Sequence, residues 1–157
     1  MVGIICTGGA SGCHHSLQKP QFTNDRGDLQ ITVMDVPTDT LQIAVALYQE
    51  EASFLGETST FAATVPYDAN SGSTAIVVLE NLPYGSYAII ALADRDGDAR
   101  LARGAFGLPK EAYGFGNDAM GLFGPPSFKK ACVRVDHPTT ETTIHFKRAP
   151  FAPRPTP

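Results

Sequence analysis

The chain has 157 residues, the usual length of one domain that can bury a hydrophobic core without disulfide or metal support. Fifteen glycines and twelve prolines predict many turns and few long helices, which favours an all-β protein. Sixteen acidic residues against twelve basic ones, with no cluster of Lys or Arg, argue against a nucleic-acid partner, and no apolar run is long enough for a transmembrane segment.

The N-terminal residues are apolar, then small, then polar, in an order that resembles the second half of a bacterial export signal. The residues from Ala10 to Cys13 resemble a lipoprotein processing site, at which Cys13 would carry a lipid anchor. Ala10 stands where Leu is usual, and no Lys or Arg precedes Cys13, so a flexible N-terminus without a signal is the alternative. We expect an exported protein, which would be periplasmic, an outer-membrane lipoprotein or secreted.

Alternating apolar residues predict strands from Leu29 onward. Residues 29–36 and 41–49 read as two strands of a hairpin, with the turn between them at residues 36–40. Residues 60–65 predict a short edge strand, because Pro66 would remove a ladder hydrogen bond.

Residues 74–80 and 86–94 predict the next two strands, joined by a turn in which Pro83 and Gly85 supply the backbone angles, so we expect them to pair antiparallel. Two further strands are predicted on either side of residues 136–138. Seven short strands without a helical window indicate a two-sheet antiparallel sandwich.

The predicted domain organisation has three parts. Residues 1–28 are an export-signal remnant or a flexible segment, residues 29–147 form the β-sandwich domain, and residues 148–157 form a proline-rich extended tail.

The connection between the fifth and sixth predicted strands, residues 94–128, is the unusual part of the chain. Structureless loops of this length are rare in compact domains unless they are functional or disordered. Its aromatic and leucine side chains are too many for composition-driven disorder. We therefore expect one long ordered loop that packs on itself and on one end of the sandwich. The apolar residues in question are Phe106, Leu108, Tyr113, Phe115, Leu122, Phe123 and Phe128.

Three motifs, NLPYGSYAIIALAD, DRDGDARL and the Gly-Leu-Pro-Lys-Glu-x-Tyr-Gly-Phe-x-Asn run from Gly107 to Asn117, resemble the bacterial family catalogued as domain of unknown function 2141. The resemblance covers about residues 29–146. It implies an exported bacterial protein with an immunoglobulin-like or transthyretin-like sandwich, and no activity is established for the family as a class. Members commonly carry Gly and Asp where this chain has Ala99 and Ala102, which weakens a metal role inferred from the family.

Asp94, Asp96 and Asp98 occupy the first three ligand positions of a calcium loop. The loop is not an EF-hand, because Ala99 replaces the glycine at its sixth position and Ala105 stands where the closing glutamate belongs. The alternative is a turn in which the aspartates accept backbone N–H groups and pair with nearby arginines. Cofactors are therefore none, or calcium. A calcium site could be completed by Glu111, Asn117 or Asp118.

The glycine and aromatic run also predicts a ligand-binding surface for a small molecule, a glycan or an envelope protein. For most of its rings we favour the alternative, a satellite core that holds the loop closed, with Tyr113 and Asn117 as the exceptions because each combines a polar tip with a position between glycines. The predicted ligand-binding residues are Lys110, Glu111, Tyr113, Phe115 and Asn117.

The sequence offers no catalytic constellation. No serine has the Gly-x-Ser-x-Gly setting, and the four histidines are not at metal-ligand spacing. We therefore expect a non-catalytic binding or structural module that uses residues 94–128. A calcium-stabilised structural domain is the alternative, and a cell-envelope hydrolase is a third hypothesis.

Overall fold

The computed structural model describes residues 25–99, 111–121 and 124–147. Eight strands and one four-residue helix are found in these segments, together with three short 3-10 turns. Within the described segments, no helix is long and apolar enough to cross a membrane. The strands are β1 (Arg26–Met34), β2 (Gln42–Tyr48), β3 (Phe61–Pro66), β4 (Ala75–Pro83), β5 (Gly85–Asp94), β6 (Tyr113–Phe115), β7 (Cys132–Val135) and β8 (Thr139–His145), and the helix is α1 (Phe128–Ala131).

The strands form two sheets. The smaller sheet has three strands in the order β4-β1-β8, and the larger has five, in the order β3-β2-β5-β6, with β7 also paired to β5. β6 and β7 share one edge of β5: β6 pairs with Ile90–Leu92 and β7 with Gly85–Ala88. The predicted all-β class and two-sheet sandwich are confirmed, whereas the immunoglobulin-like or transthyretin-like type stays a prediction.

One hydrophobic core lies between the two sheets. Leu29, Ile31 and Val33 of β1 are fully buried and belong to the same cluster as Ile43 and Leu47 of β2, in the other sheet. The period-two alternation thus identifies the core-facing side of each of these strands, as expected for strands whose successive side chains point to opposite faces.

Both predicted strand pairings are wrong. β1 pairs with β4 and β8, and β2 pairs with β3 and β5, so residues 35–41 cross from one sheet to the other. The Pro83–Gly85 turn likewise joins β4 and β5, which belong to different sheets. The physical reason is that alternation reports which face of a strand is buried, while the choice of partner depends on packing that a short turn does not fix.

The antiparallel prediction fails at one pair, because β1 and β8 run parallel, from Asp28 opposite Thr139 to Met34 opposite His145. The strand count is eight rather than seven, because β6 forms inside the segment that was predicted as a loop. The remaining described strand pairs are antiparallel.

Of the segment after β5, residues 113–119 and 128–131 pack against the outer face of the five-stranded sheet, whereas the prediction placed the segment on one end of the sandwich. On this outer face they build a second hydrophobic cluster, in which the Phe54 ring meets the Phe128 and Phe115 rings edge to face at 5.7 and 6.3 Å between centroids. This cluster agrees with a satellite core, the alternative to a ligand-binding surface. Its buried members are Ala44, Tyr48, Ala88, Ile90, Leu92, Phe115 and Ala131. Of the apolar loop residues named above, Phe106, Leu108, Leu122 and Phe123 lie outside the described residues.

Candidate functional site

The turn after β5 is organised around the carboxylate of Asp94, which is completely buried. Its Oδ1 accepts the backbone N–H groups of Asp96 and Gly97 at 3.2 and 2.7 Å. Its Oδ2 accepts the N–H of Ala99 at 2.8 Å and the side-chain amide of Gln42 at 2.6 Å. Asp94 therefore holds the turn in the hydrogen-bonded form that was the alternative to a calcium loop.

The pKa of Asp94 reflects two opposing causes. Burial alone would raise the pKa, but the Gln42 amide and the three backbone N–H groups stabilise the charged form and hold the pKa below its ordinary value. Asp94 is thus an anion at neutral pH even though water does not reach it.

Two residues of the turn have left-handed backbone angles. Gly97 has a φ of 82° and Ala99 a φ of 54°. Ala99 stands where a calcium loop has its glycine, and the backbone adopts the glycine-like angle there despite the alanine side chain.

Glu111 lies beside this turn because β6 pairs with β5. Leu92 is opposite Tyr113 in the antiparallel ladder, and the same register carried two residues further sets Glu111 opposite Asp94. Glu111 is 5% exposed, and its Oε1 accepts the backbone N–H of Arg95 at 2.9 Å. Its Oε2 is buried and has no hydrogen-bond partner within the part of the chain that the structure describes.

Asp94, Asp96 and Glu111 form an acidic cluster, in which one carboxylate oxygen of each lies within 4.8 Å of the others. Burial raises the pKa of Glu111. The N–H of Arg95 opposes this rise, and the negative charges of Asp94, Asp96 and Asp98 add to it. Asp98, the third predicted metal ligand, is exposed and does not belong to the cluster.

The structure describes four of the five predicted ligand-binding residues, and their surroundings differ. Phe115 is 4% exposed and packs in the second cluster, while the half-buried Tyr113 contacts it ring to ring at 5.7 Å. The Asn117 amide donates to the carbonyl oxygens of Lys130 and Cys132, at 3.3 and 2.7 Å. Glu111 belongs to the acidic cluster, and Lys110 lies outside the described residues. Ligand binding by these five residues stays a prediction.

The sequence analysis missed a groove on the outer face of the five-stranded sheet, with a volume of about 980 Å³. Its floor includes Ala44 and Ala46 of β2, whose small side chains alternate with the core residues of that strand. The groove adjoins the turn after β5 through Asp98 and Ala99. The small side chains at alternate positions of β2 could have indicated this groove in the sequence, because such side chains leave space above a sheet.

The described histidines form no nucleophile pair. His145 hydrogen-bonds to Asp118 through its backbone N–H and its Nδ1, both at 2.7 Å, and His137 pairs with Asp136. Within the described segments, neither histidine hydrogen-bonds to a serine or a cysteine. Both described histidines thus pair with carboxylates.

The family model described as "Uncharacterized protein conserved in bacteria (DUF2141)" matches residues 31–143. A search of the curated proteins and a search of the solved structures found no match. The matched range includes the last four residues of β1, all of β2 to β7, most of β8, the acidic cluster and the groove. Because this range covers most of the sequence, the chain belongs to the bacterial DUF2141 family.

Proposed function

We propose that this protein is a non-catalytic module of the bacterial cell envelope that binds a neutral glycan in the groove beside the turn after β5. The envelope location is supported by the N-terminal pattern that ends at Cys13. The observation that carries the binding function is the groove, whose size of about 980 Å³ matches that of ligand sites in other proteins.

The chemistry of the groove favours a neutral ligand that is rich in hydroxyl groups. Its described lining contains no Lys or Arg, so it offers no cation to a phosphate or carboxylate ligand. Small apolar side chains form the floor, and hydroxyl and carboxylate groups at Glu57, Thr58, Ser59 and Asp98 stand around it. The hydroxyl groups can donate to and accept from sugar hydroxyls, and the carboxylates can accept from them.

The binding experiment uses a panel of neutral oligosaccharides, with calorimetry on the best binder. The variant Ala46→Phe places a ring in the groove, and we expect it to weaken binding by about tenfold or more, because a filled site cannot bury the ligand. Thr143→Phe adds the same ring to an exposed position of β8, in the other sheet, and is the matched control.

Two results would contradict the proposal. One is a panel without any saturable binder, and the other is an Ala46→Phe protein that binds as tightly as the unaltered chain. The release of reducing ends from the bound oligosaccharide would instead favour the hydrolase hypothesis. The absence of such release over hours is the expected result for a non-catalytic module.

A further inference from the structure

We propose that Asp96 and Glu111, supported by Asp94, form a binding site for a calcium ion that ties the turn after β5 to the start of β6. The sequence predicted a calcium site from Asp94, Asp96 and Asp98. The structure replaces Asp98 with Glu111, which comes from the neighbouring strand segment and lies within 4.8 Å of the other two carboxylates.

Acidic side chains often lie close together at protein surfaces without binding a metal, so the argument depends on the buried oxygen of Glu111. Glu111 is 5% exposed, and its Oε2 has no hydrogen-bond partner among the residues that the structure describes. A buried carboxylate oxygen without a partner is strongly unfavourable unless a proton or a cation compensates it. This oxygen belongs to a residue of the acidic cluster, where a cation would also neutralise Asp96.

The nearest described arginine does not neutralise the cluster. Arg95 donates its backbone N–H to Glu111. Its guanidinium instead pairs with the carboxylate of Asp39, at 2.6 Å. The carboxylates of Asp94, Asp96 and Glu111 thus lie close together while the side-chain charge of Arg95 is used elsewhere. A divalent cation removes the repulsion between like charges that this arrangement creates.

The ligand set favours calcium over magnesium and over transition metals. All candidate ligand atoms are carboxylate oxygens, which suit hard cations, whereas histidine and cysteine ligands would indicate zinc or copper. Asp96 is exposed, so water can complete the coordination on that side. Calcium accepts six to eight oxygens in irregular geometry, while magnesium requires a near-ideal octahedron that a loop and a strand end do not readily supply.

Asp94 has a different role from the other two carboxylates. Its oxygens already accept four hydrogen bonds, from Gln42 and from three backbone N–H groups of the turn. One of these N–H groups belongs to Asp96. Asp94 therefore positions the backbone of the ligand Asp96, as hydrogen bonds around metal ligands commonly do.

The test is a calorimetric titration of the full chain with calcium chloride after removal of metals with a chelator. We expect one saturable site, and a Tm that rises by about 5 °C at a hundredfold excess over Kd, because calcium binds only the native state. Asp96→Asn and Glu111→Gln each remove one ligand charge and should weaken binding by about tenfold or more. Glu141→Gln, an exposed residue of β8 in the other sheet, removes the same charge without effect.

The following results overturn the proposal. One is a titration that releases or absorbs no heat, together with a Tm that is equal in calcium and in chelator. The other is an Asp96→Asn protein that is folded by circular dichroism and binds calcium as tightly as the unaltered chain. Asp96 is exposed, so this variant remains informative if Glu111→Gln fails to fold. Magnesium binding that is tighter than calcium binding in the same experiment overturns the choice of metal. Because Ala46→Phe and the oligosaccharide panel test the groove separately, failure of either proposal leaves the other testable.

Discussion

At Ala99 the backbone adopts an angle that suits glycine better than alanine. Its φ of 54° costs a residue with a Cβ atom roughly 1 kcal/mol, and its N–H donates to Asp94. The variant Ala99→Gly relieves this strain and retains the hydrogen bond. We therefore expect the free energy of unfolding to increase by about 0.5–1 kcal/mol, as measured by urea denaturation.

The control for this prediction is Ala62→Gly, at an exposed position in β3 where the backbone is extended. There glycine only adds freedom to the unfolded chain, so the free energy of unfolding should fall by about 0.5–1 kcal/mol. A decrease in both variants would show that Ala99 is not strained in solution.

The residues of the acidic turn could be predicted from the sequence, but the complete cluster could not. Asp94 bonds to N–H groups two, three and five positions later, which is a local pattern that alternate aspartates indicate directly. The position of Glu111 depends on the register between β5 and β6, which is set by packing across a long connection. The sequence therefore named Glu111 as a candidate without placing it opposite Asp94.

The hydrogen-bonded pair of Asp118 and His145 connects the segment after β6 to β8 in the other sheet. Burial alone would raise the pKa of Asp118, but the bonds from His145 and the charges of His145 and Lys147 hold that pKa below its ordinary value. A carboxyl group whose pKa is lowered in the native state stabilises it above the unfolded pKa of about 4. This stabilisation is lost as the pH falls through the lower native value.

A double-mutant cycle of Asp118→Asn and His145→Ala measures this contribution. Both side chains are nearly half exposed, so we expect a coupling of less than about 1 kcal/mol near neutral pH. The coupling should decrease as the pH falls from roughly 5 to 3, because the carboxylate of Asp118 becomes protonated in this range. A coupling that is the same at both ends of this range would show that the carboxylate charge does not contribute.

Gly116 lies at a close approach between the segment after β6 and helix α1. A Cβ atom there would lie 2.3 Å from the carbonyl oxygen of Ala131 and 3.3 Å from the Cβ of Ile89. We expect Gly116→Ala to lower the free energy of unfolding by about 1–3 kcal/mol, because the backbone of α1 must move to admit the methyl group. Urea denaturation measures the change.

Gly124 provides the matched control, since a Cβ atom built there meets none of the described residues within 4 Å. We expect Gly124→Ala to change the free energy of unfolding by less than about 0.5 kcal/mol. Equal losses in the two variants would mean that the contact between Gly116 and Ala131 is not close in solution.

In the molecule as a whole, the second cluster covers part of the outer face of the five-stranded sheet, and the groove lies on the same face. Every residue of β5 from Tyr87 to Asp94 is buried, whereas Ile76 and Val78 of β4 remain 55% and 44% exposed. The apolar run of β5 is typical of a strand covered on both faces, and the alternation of β4 is typical of one covered on a single face. The difference between the apolar run of β5 and the alternation of β4 is visible in the sequence, but the sandwich prediction rested on the alternation alone.

The strands could be predicted well because hydrophobic periodicity is a property of each segment alone. Their pairing could not, because the turns at residues 35–41 and at Tyr84 join strands of different sheets. A short connection between two strands is typical of a hairpin, but a connection of the same length can also join strands of two packed sheets. The choice between the two depends on which apolar faces meet, and that involves the whole chain.

The parallel pairing of β1 with β8 has a kinetic consequence. It joins the first and last described strands, and β1 is the middle strand of its sheet. Contacts between segments so distant in sequence are slow to form, because loop-closure entropy must be overcome before they contribute stability. During synthesis, β1 would remain paired on one edge only until residues 139–145 emerge from the ribosome. We therefore expect the pairing of β8 with β1 to be a late step of folding.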